Sequence, residues 1–150
     1  MIAEEFARTL HETARAWRHA LDRRLRPLGL SQAKWLALVH LARAGTLTQK
    51  DLAARLGVEA PTLVGLLDRL SADGWTERLE TPHDRRSKTV RLTERAQPVV
   101  REINRIAAAL RSELVEGIAP AGLKSCVEVL KQVQQRADTL AHGMDDRHDA

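Results

Sequence analysis

The feature that most limits how this chain can fold is a double change in hydrophobic period. Up to Leu70 the apolar residues recur every three or four positions, over residues 75–93 they alternate, and beyond Thr93 the wider spacing returns. A period near 3.6 marks a helix with one buried face, and a period of two marks a half-buried strand. The order is therefore helices, a strand pair, and helices again.

The punctuation between the periodic stretches divides the first part further. Phe6, Leu10, Ala14, Trp17, Leu21 and Leu25 form one helical face that Pro27 and Gly29 end. Ser31 is placed to cap a second helix, carrying Trp35, Leu38, Val39 and Leu41 and stopping near Gly45. Thr48-Gln49-Lys50-Asp51 reads as a capping box opening a short helix with Leu52, Ala53 and Leu56 inward and Gly57 at its end. Pro61 suits the first turn of a following helix that buries Leu63, Leu66, Leu67 and Leu70 and ends by Gly74. Two strands follow, one with Trp75, Glu77 and Leu79 alternating with Thr76, Arg78 and Glu80. In the other, Val90 and Leu92 alternate with Thr89, Arg91 and Thr93. The last helices carry two stripes: Val99, Ile103, Ile106, Leu110 and Leu114, then, after Pro120 and Gly122, Leu123, Val127, Leu130, Val133, Ala137 and Leu140.

Short helix, tight glycine turn, second helix, hairpin: this is the order of a winged helix-turn-helix. The fold class expected is mainly α with a two-stranded β-wing, in one domain of 150 residues. The winged part occupies residues 31–93, long helices over 1–28 and 94–142 flank it, and 143–150 form a tail expected to be disordered. A single copy has too little else to cover three long apolar stripes, so a homodimer joined through the flanking helices is expected.

The net charge is +4, and its placement matters more than its size. Residues 78–95 hold six Lys/Arg against three acids, and residues 8–27 hold six Arg against two. Basic patches attract polyanions. The segment "TPHDRRSKTVRLT" puts the densest charge where the wing turns. Taken alone, such a run is a solvated loop. At the tip of a wing it is placed to reach a minor groove, whose negative potential accepts a flat, weakly hydrated guanidinium. Arg85 and Arg86 are the pair expected there, with Asp84 orienting the fork and Lys88 and Arg91 adding phosphate contacts. The second helix of the turn motif would enter the major groove with Ala60, Pro61, Thr62, Gly65, Asp68 and Arg69 outward. Ser31, Gln32, Thr48 and Gln49 stand at helix starts, where hydroxyls and free N–H groups either bind phosphate or simply cap the helix.

"DRRSKTVRLT" resembles the wing of the MarR family: an acid, any residue, an arginine, then a strand ending in Leu-Thr. The likeness continues through "LSQAKWLALVHLA", "TQKDLAARLGVEAPTLVGLLDRLSADGWTERL" and "TERAQPVV", and it is greatest to the SlyA branch. The resemblance implies a dimeric bacterial transcription regulator, a repressor, bound to a pseudopalindromic operator in double-stranded DNA. It also implies release by a small aromatic carboxylate effector, with Arg15, Arg18 and Trp35 at the matching ligand positions. The chain departs from the pattern at Gly65, where an arginine would face the groove, at Ala60, where a polar residue is expected, and at Val39, where a histidine is expected.

Other classes find little support. There is no glycine-rich phosphate loop, nucleophile elbow or HExxH sequence, so no enzyme is expected. His11, His19, His40, His83, His142 and His148 are scattered without metal-ligand spacing, and no cofactor is called for. Cys126 has no partner cysteine and reads as structural, which fits a reducing cytoplasm. No run approaches the roughly 18 apolar residues of a membrane span, and the start of the chain does not resemble a targeting peptide. Two rivals stay open: a winged protein-interaction module, which has no need of arginines at its tip, and a helical small-molecule carrier.

Overall fold

The residues that mark helix ends in the sequence also make them. The computed structural model describes the backbone of residues 1–81 and 84–145, and the side chains of residues 1–80 and 88–143. Helix α1 (Ile2–Leu25) runs into a single 3-10 turn at Arg26–Leu28 that Gly29 closes. Helix α2 (Gln32–Ala44) starts at Ser31, whose side chain accepts from the Lys34 N–H at 3.4 Å. Helix α3 (Gln49–Leu56) starts at Thr48, whose Oγ1 accepts from the Asp51 N–H at 3.0 Å. Caps of this type contribute about 1 kcal/mol each. Gly57 ends α3 at φ 66°, a left-handed conformation that costs a glycine little, and after Val58 and Glu59 helix α4 (Ala60–Ala72) begins. The tightness of that turn sets α4 against α3.

Strand β2 (Thr76–Thr81) and strand β3 (Asp84–Leu92) pair antiparallel from Thr76↔Leu92 to Thr81↔Asp84, with a register shift at Glu80/Thr81. The wing hairpin has the two strands expected, but its sheet has one more. Thr46–Thr48 form a further strand, β1, so the sheet has three strands in the order β1-β3-β2. Three residues are too few to display an alternation. They are extended because α2 has just ended at Gly45 and because Leu47, opposite Val90, buries its side chain. Which set of alternating residues faces inward is also decided by packing. Thr76 and Val90 are buried, with Thr76 Oγ1 3.4 Å from Ser71 Oγ on α4, while Leu79 lies on the opposite face and is half-buried.

One cluster of apolar side chains holds these elements together. Leu25, Leu38, Leu41, Leu52, Leu63, Leu67, Leu70, Val90 and Ile103 are all but sealed from solvent. Burying a side chain of this size contributes roughly 1.5–3 kcal/mol. After a 3-10 turn at Glu94–Ala96, helix α5 (Gln97–Leu114) adds Val100, Ile103 and Leu110. The stripe is rotated from the sequence expectation: Val100 is buried, Val99 and Ile106 are only partly buried, and Leu114 is exposed.

Contacts divide the chain into two units, Met1–Arg111 and a second that begins at Ser112. The second unit contains helix α6 (Pro120–Asp145), on which Val127, Leu130, Val133 and Leu140 are exposed. Among the described residues, no helix is long and apolar enough to cross a membrane. Of the tail expected to be disordered over residues 143–150, residues 143–145 belong to α6, and 146–150 lie outside the described residues.

His40 on α2 shows what this packing does to a titratable group. Partial burial, then the charges of Arg55 on α3 and Arg43 on α2, lower its pKa from 6.5. The unfolded chain therefore binds a proton that the folded chain refuses as pH falls through about 6.5, and stability drops over that window. Urea midpoints measured at pH 7.5 and 5.5 are expected to fall further for the wild type than for His40→Gln. Equal falls would mean that His40 is not the group responsible.

Candidate nucleic-acid interface

Four leucines orient α4. Leu63, Leu66, Leu67 and Leu70 are buried, so Ala60, Pro61, Thr62, Asp68 and Arg69 are outward and exposed, with Gly65 half-buried among them. The helix begins at Ala60 with Pro61 in its first turn, and Glu59 at the cap position makes no side-chain cap hydrogen bond. The first-turn N–H groups of α4 thus have no side chain folded over them, the arrangement that receives an anion at a helix start. Ser31 and Thr48 differ, because their hydroxyls accept from the amides of their own helices. They cap first, and only their remaining donor capacity is open to a phosphate. Gln49 lines a cleft of about 330 Å³ between α3 and α4, with Lys50, Ala53, Ala54, Val58, Ala60 and Leu63.

Arg78 ties the sheet to this helix. Its Nη2 donates to Asp68 Oδ1 at 2.6 Å and to the Val64 carbonyl at 3.3 Å. Sequence reading passed over Arg78 as one more alternating polar residue, since nothing in the sequence shows that β2 lies beside α4. On the other face of the sheet, Arg91 pairs with Glu77, which engages a cation that sequence analysis had assigned to phosphate. At the base of the hairpin, Thr93 Oγ1 donates to the Gly74 carbonyl at 2.5 Å and the Thr93 N–H donates to the Trp75 carbonyl at 3.0 Å. The Leu-Thr that ends the wing therefore closes it. A second bridge missed in the sequence joins α2 to the end of α4: Lys34 Nζ reaches Asp73 Oδ2 at 2.7 Å and stands 5.7 Å from the centre of a Trp75 ring.

Lys88 on β3 is exposed. The backbones of Asp84, Arg85 and Arg86 lie in β3, and their side chains lie outside the described residues, as does His83 entirely. The wing-tip assignment thus stands on the position of these residues in the hairpin.

The three residues matched to an effector are differently placed. Arg15 and Arg18 on α1 are exposed, and the side chain of neither joins another described residue by an ion pair or hydrogen bond. Trp35 on α2 is 3% exposed and belongs to the core, so in this conformation its ring is not offered to a stacking ligand. Its Nε1–H is buried without an acceptor, an unmet donor in the middle of an apolar cluster. Among the described residues, no three His, Cys, Asp or Glu side chains gather as a metal site.

Residues 28–87 match the sequence profile of the MarR family. A solved structure, transcriptional regulator PA3341, is 44% identical, and its superposition covers 89% of this chain and 98% of that one at a TM-score of 0.82. Apo wild-type MarR from E. coli is 27% identical over 85% of this chain and 94% of its own, at a TM-score of 0.74. A mutant of the E. coli protein complexed with operator DNA is also 27% identical, over 86% and 93%, at 0.73.

Gly65 supplies a test of how this face is built. It is a mid-helix glycine without a positive φ, and a methyl group there would meet only Arg69 Nη1, at 3.7 Å, an ordinary contact. Gly65→Ala is expected to stabilise the protein by about 1 kcal/mol through helix propensity. A rise in thermal midpoint checks this, and a fall would mean that the space over Gly65 is needed for folding.

Proposed function

The chain belongs to the MarR family of transcriptional regulators, and on that premise we propose that it acts as a homodimer that grips a pseudopalindromic operator and represses transcription. Each copy places α4 in a major groove and sends its hairpin along the adjacent minor groove. The observation that carries this reading is the bridge from Arg78 to Asp68 and Val64, which joins the outward face of α4 and the base of the basic hairpin into one piece. A protein-interaction module would need neither that coupling nor the cations of "DRRSK" beyond it. Arg85 and Arg86 enter the minor groove with Asp84 orienting them. Thr62, Pro61, Ala60, Gly65 and Arg69 face the bases, while Lys88, Ser31, Thr48 and Gln49 meet phosphates.

Two copies pair through the long helices. The exposed Val127, Leu130, Val133 and Leu140 of α6 supply an apolar surface that a second copy would cover. The two reading heads then stand about one helical turn apart, roughly 34–36 Å between half-site centres. The SlyA-like wing and turn motifs support a position near that branch. A small aromatic carboxylate acts as the releasing ligand, its charge held by Arg15 and Arg18.

The test is a pair of measurements on the purified protein. Arg86→Ala is expected to weaken operator binding by tenfold or more, the cost of about 1.4 kcal/mol or greater, with its thermal midpoint unchanged. For each tenfold rise in salt, operator affinity is also expected to fall by about 0.9 logarithmic unit per phosphate neutralised. A flat salt profile, or equal loss of folding and binding in the variant, would overturn the reading.

A further inference from the structure

The middle of the exposed face of α4 lacks a side chain, and Arg69 occupies the space. With the leucine stripe inward, Pro61 and Gly65 lie opposite it, and Thr62 and Arg69 lie on one flank. Side chains in a helix lean toward its N-terminus, over the residue four positions back. Arg69 follows this rule, and its Nη1 stands 3.7 Å from where a Cβ on Gly65 would be. The lean carries the charge from the flank to the centre of the face.

Two carboxylates that would compete for it are engaged elsewhere. Asp68, its neighbour, holds Arg78 at 2.6 Å. Asp73, four residues on and spaced for a helical ion pair, holds Lys34 at 2.7 Å. The Arg69 side chain itself joins no described residue by an ion pair or hydrogen bond. Its guanidinium is therefore exposed and uncommitted.

From these contacts we infer that Arg69, seated over Gly65, is the specificity-determining residue of α4 and reads a guanine in each half-site. The inference rests on the DNA-binding reading above and deepens it. In the major groove, guanine alone presents two adjacent acceptors, O6 and N7, matched to the paired N–H donors of a guanidinium. Arg69 is the one forked donor on α4, since Ala60, Pro61 and Val64 have no polar side-chain atoms and Thr62 and Ser71 have single hydroxyls. Gly65 gives the fork its direction, because any side chain longer than a methyl would fill the seat.

Duplexes selected by the full-length protein from a random pool are expected to carry a G·C pair at one symmetric position in each half-site. Replacing that pair with A·T is expected to weaken wild-type binding roughly ten- to hundredfold, the scale of one bidentate base contact. Arg69→Lys keeps the charge but not the fork. It is expected to separate the G·C duplex from its A·T counterpart by less than about twofold, well below the discrimination of one good contact. Gly65→Ala should keep the preference. Gly65→Leu should lose it while melting no lower than the wild type, and if it melts lower the lysine variant alone decides. A lysine variant that still discriminates overturns the inference, as does Arg69→Ala weakening both duplexes equally. If the wild type binds no duplex, the DNA-binding reading itself fails and takes this one with it.

Discussion

Burial of one side of α4 is the constraint on which the rest of this molecule depends. Leu63, Leu66, Leu67 and Leu70 are each sealed into the core, and together they contribute several kcal/mol. A helix has only one orientation that hides such a stripe. Once it is hidden, Pro61, Thr62, Gly65 and Arg69 have no freedom over which way they face. The face proposed to read DNA is the complement of the core, and a change in one would displace the other.

Electrostatic contacts refine that arrangement without supplying much of its stability. The Arg78–Asp68 pair is largely exposed, and pairs of this type contribute about 1 kcal/mol or less. Its value lies in geometry, because the hairpin cannot tilt away from α4 while the guanidinium spans them. Lys34 and Asp73 act in the same way at the other end of α4. Both bridges have a further consequence: by engaging Asp68 and Asp73, they leave the only cation of α4 without an internal partner. Free acids beside that cation would otherwise neutralise the charge that, on the proposed function, meets a polyanion.

Much of the fold was legible in particular residues. Ser31 and Thr48 cap the helices that they precede, Gly57 makes the turn between α3 and α4, and Pro61 sits in a first turn. These signals are local: each depends on a residue and its next three or four neighbours. The strand Thr46–Thr48 escaped notice because it exists only through pairing with Arg91, Val90 and Thr89, more than forty residues away. The rotation of the α5 stripe toward Val100 escaped for a related reason, since neighbouring positions on a helix face are equally apolar here and the packing partner chooses between them.

The sequence by itself determined the order of elements, their ends and the concentration of cations in the wing, because hydrophobic period, capping chemistry and charge are properties of neighbouring residues. Tertiary structure alone decided which charges stay available. Arg78 and Arg91 both alternate along the hairpin and look alike in the sequence, yet folding joins one to α4 and the other to Glu77. Arg69 is left outward because its rivals for Asp68 and Asp73 arrive from β2 and α2. Ion pairing depends on distance in space, and only the packed core brings those distant segments within reach.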